Sequence, residues 1–125
     1  DISQILKKCD RAGTFLIDST TALLANEMFL QNGEIREDAG MKISGEMKIL
    51  ISRIDRIVIV SDYIYSDVAF YDETTKKYCR ALADVDRVCA KYCDVVLEAA
   101  YRNLSIHKGG ESVGTDFWRS ISGEA

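Results

Sequence analysis

One cysteine stands among cationic side chains, in a segment that could attach a cofactor covalently. Cys79 lies in the stretch TTKKYCR, residues 74–80, with Lys76, Lys77 and Arg80 within one helical turn of it. Cations and the start of a helix both favour the nucleophilic thiolate form of a cysteine. A half-exposed thiolate of this kind suits the capture of an acidic cofactor. The plainer interpretation is a small residue on a charged helix surface.

The other side chains that could do chemistry are sparse. His107 is the only histidine and is followed by Gly109 and Gly110, so it offers neither a catalytic triad nor a zinc site. Cys89 and Cys93 stand four residues apart, which favours burial as small apolar residues over metal binding, and free thiols over disulfides. No acid–base pair or nucleophile with a base is evident, so we expect a protein without catalytic activity or a bound metal.

Composition narrows the class of protein. The chain has 125 residues and a net charge of −4, from 16 basic and 20 acidic residues, which argues against a nucleic-acid binder. No apolar stretch is long enough to span a bilayer, and the N-terminus carries no signal-peptide pattern. Proline is absent, so nothing in the sequence forbids long helices. We expect one domain over residues 1–125, in the cytosol or the interior of an organelle.

Apolar residues recurring at spacings of three and four predict an all-α fold with two long helices as its spine. The β-branched run at 57–60 could be a strand by itself, but the helical period enters it without a turn signal. The second helix is expected to begin with Asp18 or Ser19 as its N-cap. The predicted elements are helices over 1–9, from 18 or 19 to 32, over 34–61 and over 74–104, an irregular connection over 62–72, and a short terminal segment over 117–121.

Four stretches, taken in order, resemble the phycobiliprotein family, most closely a shortened phycoerythrin α subunit. Residues 10–16 (DRAGTFL) and 29–36 (FLQNGEIR) are similar to the segments after the first helix and between the first two globin-type helices. Cys79 followed thirteen residues later by YCDVV is similar to the bilin cysteine and the segment beyond it. Residues 101–106 (YRNLSI) resemble the family's YRSLSL. The resemblance implies a globin-like helical domain, here with reduced C-terminal helices.

The resemblance also implies a light-harvesting function and a bilin site. A linear tetrapyrrole of the phycoerythrobilin type, or a related bilin, would be joined by a thioether to Cys79. Tyr63, Tyr65 or Tyr71 could wall the chromophore. The remaining bilin-binding residues would be Lys76, Lys77 and Arg80, which pair with the propionates, together with Tyr78 and Asp84, the latter polarising the pyrrole N–H groups.

The bilin site departs from the family pattern at one position. The family has an aspartate three residues after the bilin cysteine, where this chain has Leu82. Asp84 stands five residues after Cys79, on another side of the helix. An alternative register restores the aspartate, but it places Ala81 at the cysteine position.

The resemblance implies a β-type phycobiliprotein subunit as partner in a hetero-oligomer, with a possible linker protein. It places the protein in the cytoplasm or stroma, peripheral to the thylakoid membrane. Two other functions stay open. One is a non-pigmented helical interaction module, because residues 50–62 faintly resemble a helix of the vinculin and α-catenin bundles. The other is a globin-like sensor without a cofactor.

Overall fold

A computed structural model describes residues 4–10, 12–64, 72–112 and 114. The chain divides into two compact units, Asp1–Tyr92 and Cys93–Ala125. The predicted terminal segment at 117–121 lies outside the described residues. Within the described part of the chain, no helix combines the length and apolar character required to cross a bilayer.

The first unit is built around a pair of parallel strands. Its elements in chain order are α1 (Ile5–Lys8), β1 (Phe15–Asp18), α2 (Thr20–Met28), α3 (Ala39–Arg53), β2 (Ile57–Val60) and α4 (Glu73–Tyr92). In the register of the sheet, Phe15 lies opposite Ile57 and Asp18 lies opposite Val60. Parallel strands require a crossover connection, and α2 and α3 provide it. The arrangement is therefore a β–α–α–β unit followed by a long helix.

The prediction of an all-α, globin-like fold is wrong, because the described residues contain two small sheets. The helix predicted over 34–61 is α3 followed by β2. The backbone becomes extended at Ile54, where α3 ends, and Asp55 and Arg56 form a bend before the strand. Four β-branched residues in a row pack well in a strand, and a run this short has no periodicity that separates strand from helix. The same ambiguity hid β1 between Gly13 and Ser19.

The second predicted long helix also ends early. It was expected to reach residue 104, but α4 stops at Tyr92, and Val96–Ala100 (β3) pairs antiparallel with Asn103–Lys108 (β4). Tyr101 and Arg102 turn the hairpin with positive φ angles of 51° and 64°, as the tight primed turns require. A short 3₁₀ helix, Gly110–Ser112, follows β4. The predicted helix ran past the true end of α4 because the valine and leucine residues that continue its apolar pattern are also common in strands.

The predicted N-cap at Ser19 is confirmed. The hydroxyl oxygen of Ser19 accepts a hydrogen bond from the backbone N–H of Ala22, and α2 begins at the next residue, Thr20. The helix ends at Met28, four positions before the predicted Asn32. The chain then turns through Gly33, whose φ of 85° suits glycine.

The core of the first unit lies between the helices and one face of the sheet. The inner sheet face carries Phe15, Ile17, Ile57 and Ile59, which pack against the core. The outer face carries Leu16, Val58 and Val60, and the Leu16 side chain is 64% exposed. The fully buried residues with large side chains are Thr20, Leu24, Ile43, Met47, Leu50, Leu82 and Val85.

Candidate functional site

The predicted bilin cysteine faces inward. Cys79 is only 3% exposed and shares the buried side of α4 with Leu82, Val85 and Cys89. The spacing of these residues by three and four places them on one helical face. The expected half-exposed thiol is therefore a buried one. A large tetrapyrrole reaches its sulfur only if this face of α4 opens, so bilin attachment stays a prediction.

Three of the four charged residues predicted to surround the bilin form ion pairs with other side chains of the protein. Lys76 Nζ lies 3.6 Å from Glu73, and Lys77 Nζ lies 2.9 Å from Glu37. Asp84 accepts a 2.9 Å hydrogen bond from Arg87. Arg80 is exposed on α4. These contacts point to different neighbours, so the structure does not bring the predicted side chains together around one cavity.

The remaining sequence candidates are the other cysteines, His107 and the tyrosines proposed to wall the bilin. All four cysteines lie in the described residues, and no two of them are joined by a disulfide. His107 lies in β4, where its Nε2 is 2.8 Å from a carboxylate oxygen of Glu98. In the part of the chain that the structure describes, no three His, Cys, Asp or Glu side chains are grouped to hold a metal ion. Tyr63 is exposed, and the other two tyrosines proposed to wall the bilin, at 65 and 71, lie outside the described residues.

The structure instead brings polar residues together at the carboxyl edge of the parallel strands. β1 ends at Asp18 and β2 ends at Val60, directly opposite in the register. Because both strands run in the same direction, the residues that follow them emerge at one edge. In open α/β sheets this edge is where ligands bind. Asp18 and Asp62 are exposed there and carry carboxylates.

The amino end of α2 lies at the same edge. Ser19, the N-cap residue, follows β1 directly, so the first turn of α2 starts where the strand stops. The first N–H groups of a helix have no intrahelical acceptor, and the helix dipole adds partial positive charge. Such a helix end favours a bound anion, and sulfate, phosphate and carboxylate groups are the usual ones.

Two threonine hydroxyls join α2 to β2 at this edge. Thr20 is fully buried and its Oγ1 donates to the carbonyl oxygen of Val60 across 3.5 Å. The Oγ1 of Thr21 accepts a 3.0 Å hydrogen bond from the backbone N–H of Asp62. The first turn of α2 and the residues after β2 are therefore held beside each other, and Asp62 is fixed next to the helix end.

The two kinds of charge at the edge suit one class of ligand. The end of α2 favours an anion, whereas the carboxylates of Asp18 and Asp62 favour a cation. Magnesium is bound in many proteins by one or two carboxylates together with the phosphates of a substrate. A phosphate ester carrying Mg²⁺ would satisfy both sets of groups.

Sequence reasoning missed this edge because residues 57–60 were assigned to a helix and residues 15–17 were assigned to no element. A signal was present in each case. Two apolar runs each end in a group of polar residues. These are FLIDSTT over 15–21 and IVIVSD over 57–62. Short β-branched or aromatic runs bounded by aspartate and serine are typical of strands.

No protein-family model matches the chain, and no curated protein and no solved structure shows significant similarity to it.

Proposed function

We propose that the first unit is an α/β ligand-binding module that holds a phosphate ester with Mg²⁺ at the carboxyl edge of β1 and β2. The observation that carries the proposal is the hydrogen bond from Asp62 N–H to Thr21 Oγ1, 3.0 Å long. It fixes a carboxylate-bearing residue after one parallel strand against the helix that begins after the other.

Each group at the edge has a distinct role in this proposal. The backbone N–H groups of Thr20 and Thr21 receive the phosphate oxygens, since the Ala22 N–H is already bonded to Ser19 Oγ. Asp18 and Asp62 receive the cation, directly or through its water ligands. The function proposed is binding. The expectation that the protein is not an enzyme stays a prediction.

The test is calorimetric titration of the protein with inorganic pyrophosphate in the presence and absence of Mg²⁺. We expect binding that requires Mg²⁺ and that weakens roughly 10- to 100-fold in Asp62→Asn, the range typical for disturbed metal sites. Asp18→Asn should weaken binding in the same direction.

The matched control is Asp55→Asn. Asp55 is an exposed aspartate just before β2, at the opposite edge of the same sheet. Its substitution removes the same charge and should leave binding unchanged. Equal weakening in Asp55→Asn and Asp62→Asn would indicate a general effect of net charge and would contradict the proposed site.

Bilin binding is a second proposal, supported by the sequence landmarks at Cys79 and 92–96 rather than by the site geometry. Under it, Cys79 anchors a bilin, a β-type subunit is the partner, and the protein sits in the stroma or cytoplasm beside the thylakoid membrane. Its test is the visible absorption of the purified native protein. A band that stays attached after acid denaturation and is lost in Cys79→Ala would support it, and a colourless protein would contradict it.

A further inference from the structure

The outer face of the β1–β2 sheet presents three neighbouring apolar side chains to solvent, and we call them the outer patch. Leu16 is 64% exposed, Val58 is 51% exposed and Val60 is 37% exposed. The opposite face of the same sheet packs against the core. Sheets of parallel strands occur almost only with both faces covered. The outer patch is therefore a surface that a partner would cover.

The amino end and the carboxyl end of this face carry opposite charges. The carbonyl oxygen of Arg56 accepts a 2.9 Å hydrogen bond from the Phe15 N–H, so Arg56 continues the pairing of β2 at its amino end. Because side chains alternate along a strand, Arg56 shares the outer side with Val58, and Asp18 shares it with Leu16. Arg56 and Asp18 are both exposed. The outer patch therefore lies between a cation and a carboxylate.

Asp62 adds a second exposed carboxylate at the carboxyl end, two residues after the end of β2. At the amino end the charges of Arg53 and Asp55 cancel, which leaves the charge of Arg56. None of the ion pairs between described side chains involves Arg56, Asp18 or Asp62. These three charges can therefore pair with groups of a second molecule.

We propose that the outer patch is the contact surface of a symmetric homodimer, in which a second copy packs its own outer patch face to face with the strands reversed. A face with a basic end and an acidic end is complementary to itself when one copy is reversed. Two-fold contacts that use the same surface on both copies are the commonest in soluble oligomers. The proposal is independent of ligand binding at the carboxyl edge.

The positions of the residues along β2 make this match specific. A two-fold axis that lies between the sheets and runs across the strands brings β2 of one copy over β2 of the other. With the axis midway between Val58 and Val60, Val58 faces the partner's Val60, and Arg56 faces the partner's Asp62. The symmetry forms this charge pair twice. Strands running in the same direction would instead bring Arg56 level with the partner's Arg56, which like-charge repulsion disfavours.

The size of the outer patch predicts a weak dimer. Stable interfaces bury roughly 800 Å² on each partner, which is more than three side chains can provide. We therefore expect the copies to associate with a dissociation constant between roughly 1 µM and 1 mM, with the apolar side chains giving affinity and the charges giving orientation.

The first test is sedimentation velocity over this concentration range, with neither Mg²⁺ nor phosphate present. The wild-type chain should change from monomer to dimer as its concentration rises. Leu16→Thr removes apolar surface but keeps a residue that favours strands, and it should weaken dimerisation about tenfold. Val58→Thr is a second variant of the same kind. Met41→Gln is the control, because it removes an 81% exposed apolar side chain of α3 and should leave dimerisation unchanged.

The charge match is tested by mixing two variants. Arg56→Glu alone and Asp62→Arg alone should each dimerise about tenfold more weakly or worse, because both charge pairs then join like charges. An equimolar mixture of the two variants should form a heterodimer of near wild-type strength, since each pair again joins opposite charges. The control is Arg80→Glu, which makes the same charge change at an exposed position of α4 and should dimerise as the wild-type chain does.

Circular dichroism and urea unfolding establish that each variant is folded before its association is compared. A wild-type chain that stays monomeric at the highest concentration would overturn the proposal and leave the outer patch to a different partner. Equal weakening in Leu16→Thr and Met41→Gln would overturn it by placing the contact elsewhere. Failure of the mixed variants to form a heterodimer would overturn the reversed arrangement of the strands.

Discussion

The backbone N–H of Asp62 donates a hydrogen bond to the Oγ1 of Thr21 across 3.0 Å, joining residues 41 positions apart. Asp62 follows β2, and Thr21 lies in the first turn of α2. This bond sets the geometry of the carboxyl edge, because it places a carboxylate-bearing residue beside the end of a helix.

Removing the threonine acceptor should weaken the site. Thr21→Val keeps the β-branched shape but leaves the Asp62 N–H without this partner. We expect a loss of about 1 kcal/mol in the free energy of unfolding and weaker binding of magnesium pyrophosphate. Urea unfolding and calorimetry measure the two effects. Thr14→Val, at an exposed position just before β1, is the control and should change neither.

The ion pairs of Glu27 should make stability depend on pH. Glu27 receives hydrogen bonds from Lys42 and Arg36, and the Lys42 bond is the largest cause of the lowered pKa of its carboxyl group. A lowered folded-state pKa gives stability that is present above the ordinary value of 4.5 and is lost as pH falls through the folded-state value.

Glu27→Gln should accordingly be less stable than the wild-type protein at pH 7, with a difference that shrinks as the pH falls below about 4.5. Urea unfolding midpoints across the acid range measure it. Glu34→Gln, at an exposed position in the turn after α2, should follow the wild-type curve. A Glu27→Gln deficit that stays constant with pH would contradict the charge-based explanation.

Two glycines of α3 should respond oppositely to the same substitution. A Cβ on Gly40 would lie 3.0 Å from the Ala81 Cβ and 3.3 Å from its Cα, whereas a Cβ on Gly45 would meet nothing within 4 Å. Alanine in a helix interior is favoured over glycine by roughly 0.5–1 kcal/mol. Gly45→Ala should therefore raise the thermal midpoint. Gly40→Ala should lower the thermal midpoint, because the added Cβ would contact Ala81 and push α3 away from α4. An increase of the midpoint in both variants would show that the two helices separate easily.

The thiols should differ in reactivity in the native protein. Cys9 is exposed, whereas Cys79 and Cys89 are buried. We expect a bulky maleimide to label Cys9 rapidly and to label the two buried thiols only after denaturant is added. Mass spectrometry of digested samples identifies the labelled sites. Rapid labelling of Cys79 would mean that the inner face of α4 opens readily, and it would strengthen the bilin proposal.

The sequence predicted the fold best where one helical pattern had clear ends. Ser19 is an N-cap because its hydroxyl can accept from the helix N–H groups, and that chemistry is local and readable. The period of three and four likewise indicated the buried side of α4 through Leu82, Val85 and Cys89. Where the pattern ran on without a turn signal, at 57–60 and 96–104, the helix was extended into strands.

The same reasoning could not predict the candidate site. Its residues are adjacent only because β1 and β2 pair, and that pairing depends on contacts between distant segments. For Cys79, the sequence analysis predicted a half-exposed thiol, whereas the structure buries it. Its cationic neighbours in sequence suggested a reactive surface thiol, but on a helix the side that a residue faces depends on its packing partners, which the local charge pattern does not reveal.

The crossover between β1 and β2 has a consequence for how the protein folds. Parallel pairing of Phe15–Asp18 with Ile57–Val60 joins segments that both intervening helices separate. Contacts at such sequence separation form slowly, because loop-closure entropy must be overcome first. The helices can therefore form well before the carboxyl edge exists. In a refolding experiment, recovery of pyrophosphate binding should lag behind recovery of helical circular dichroism, because the proposed site forms only after the two strands pair.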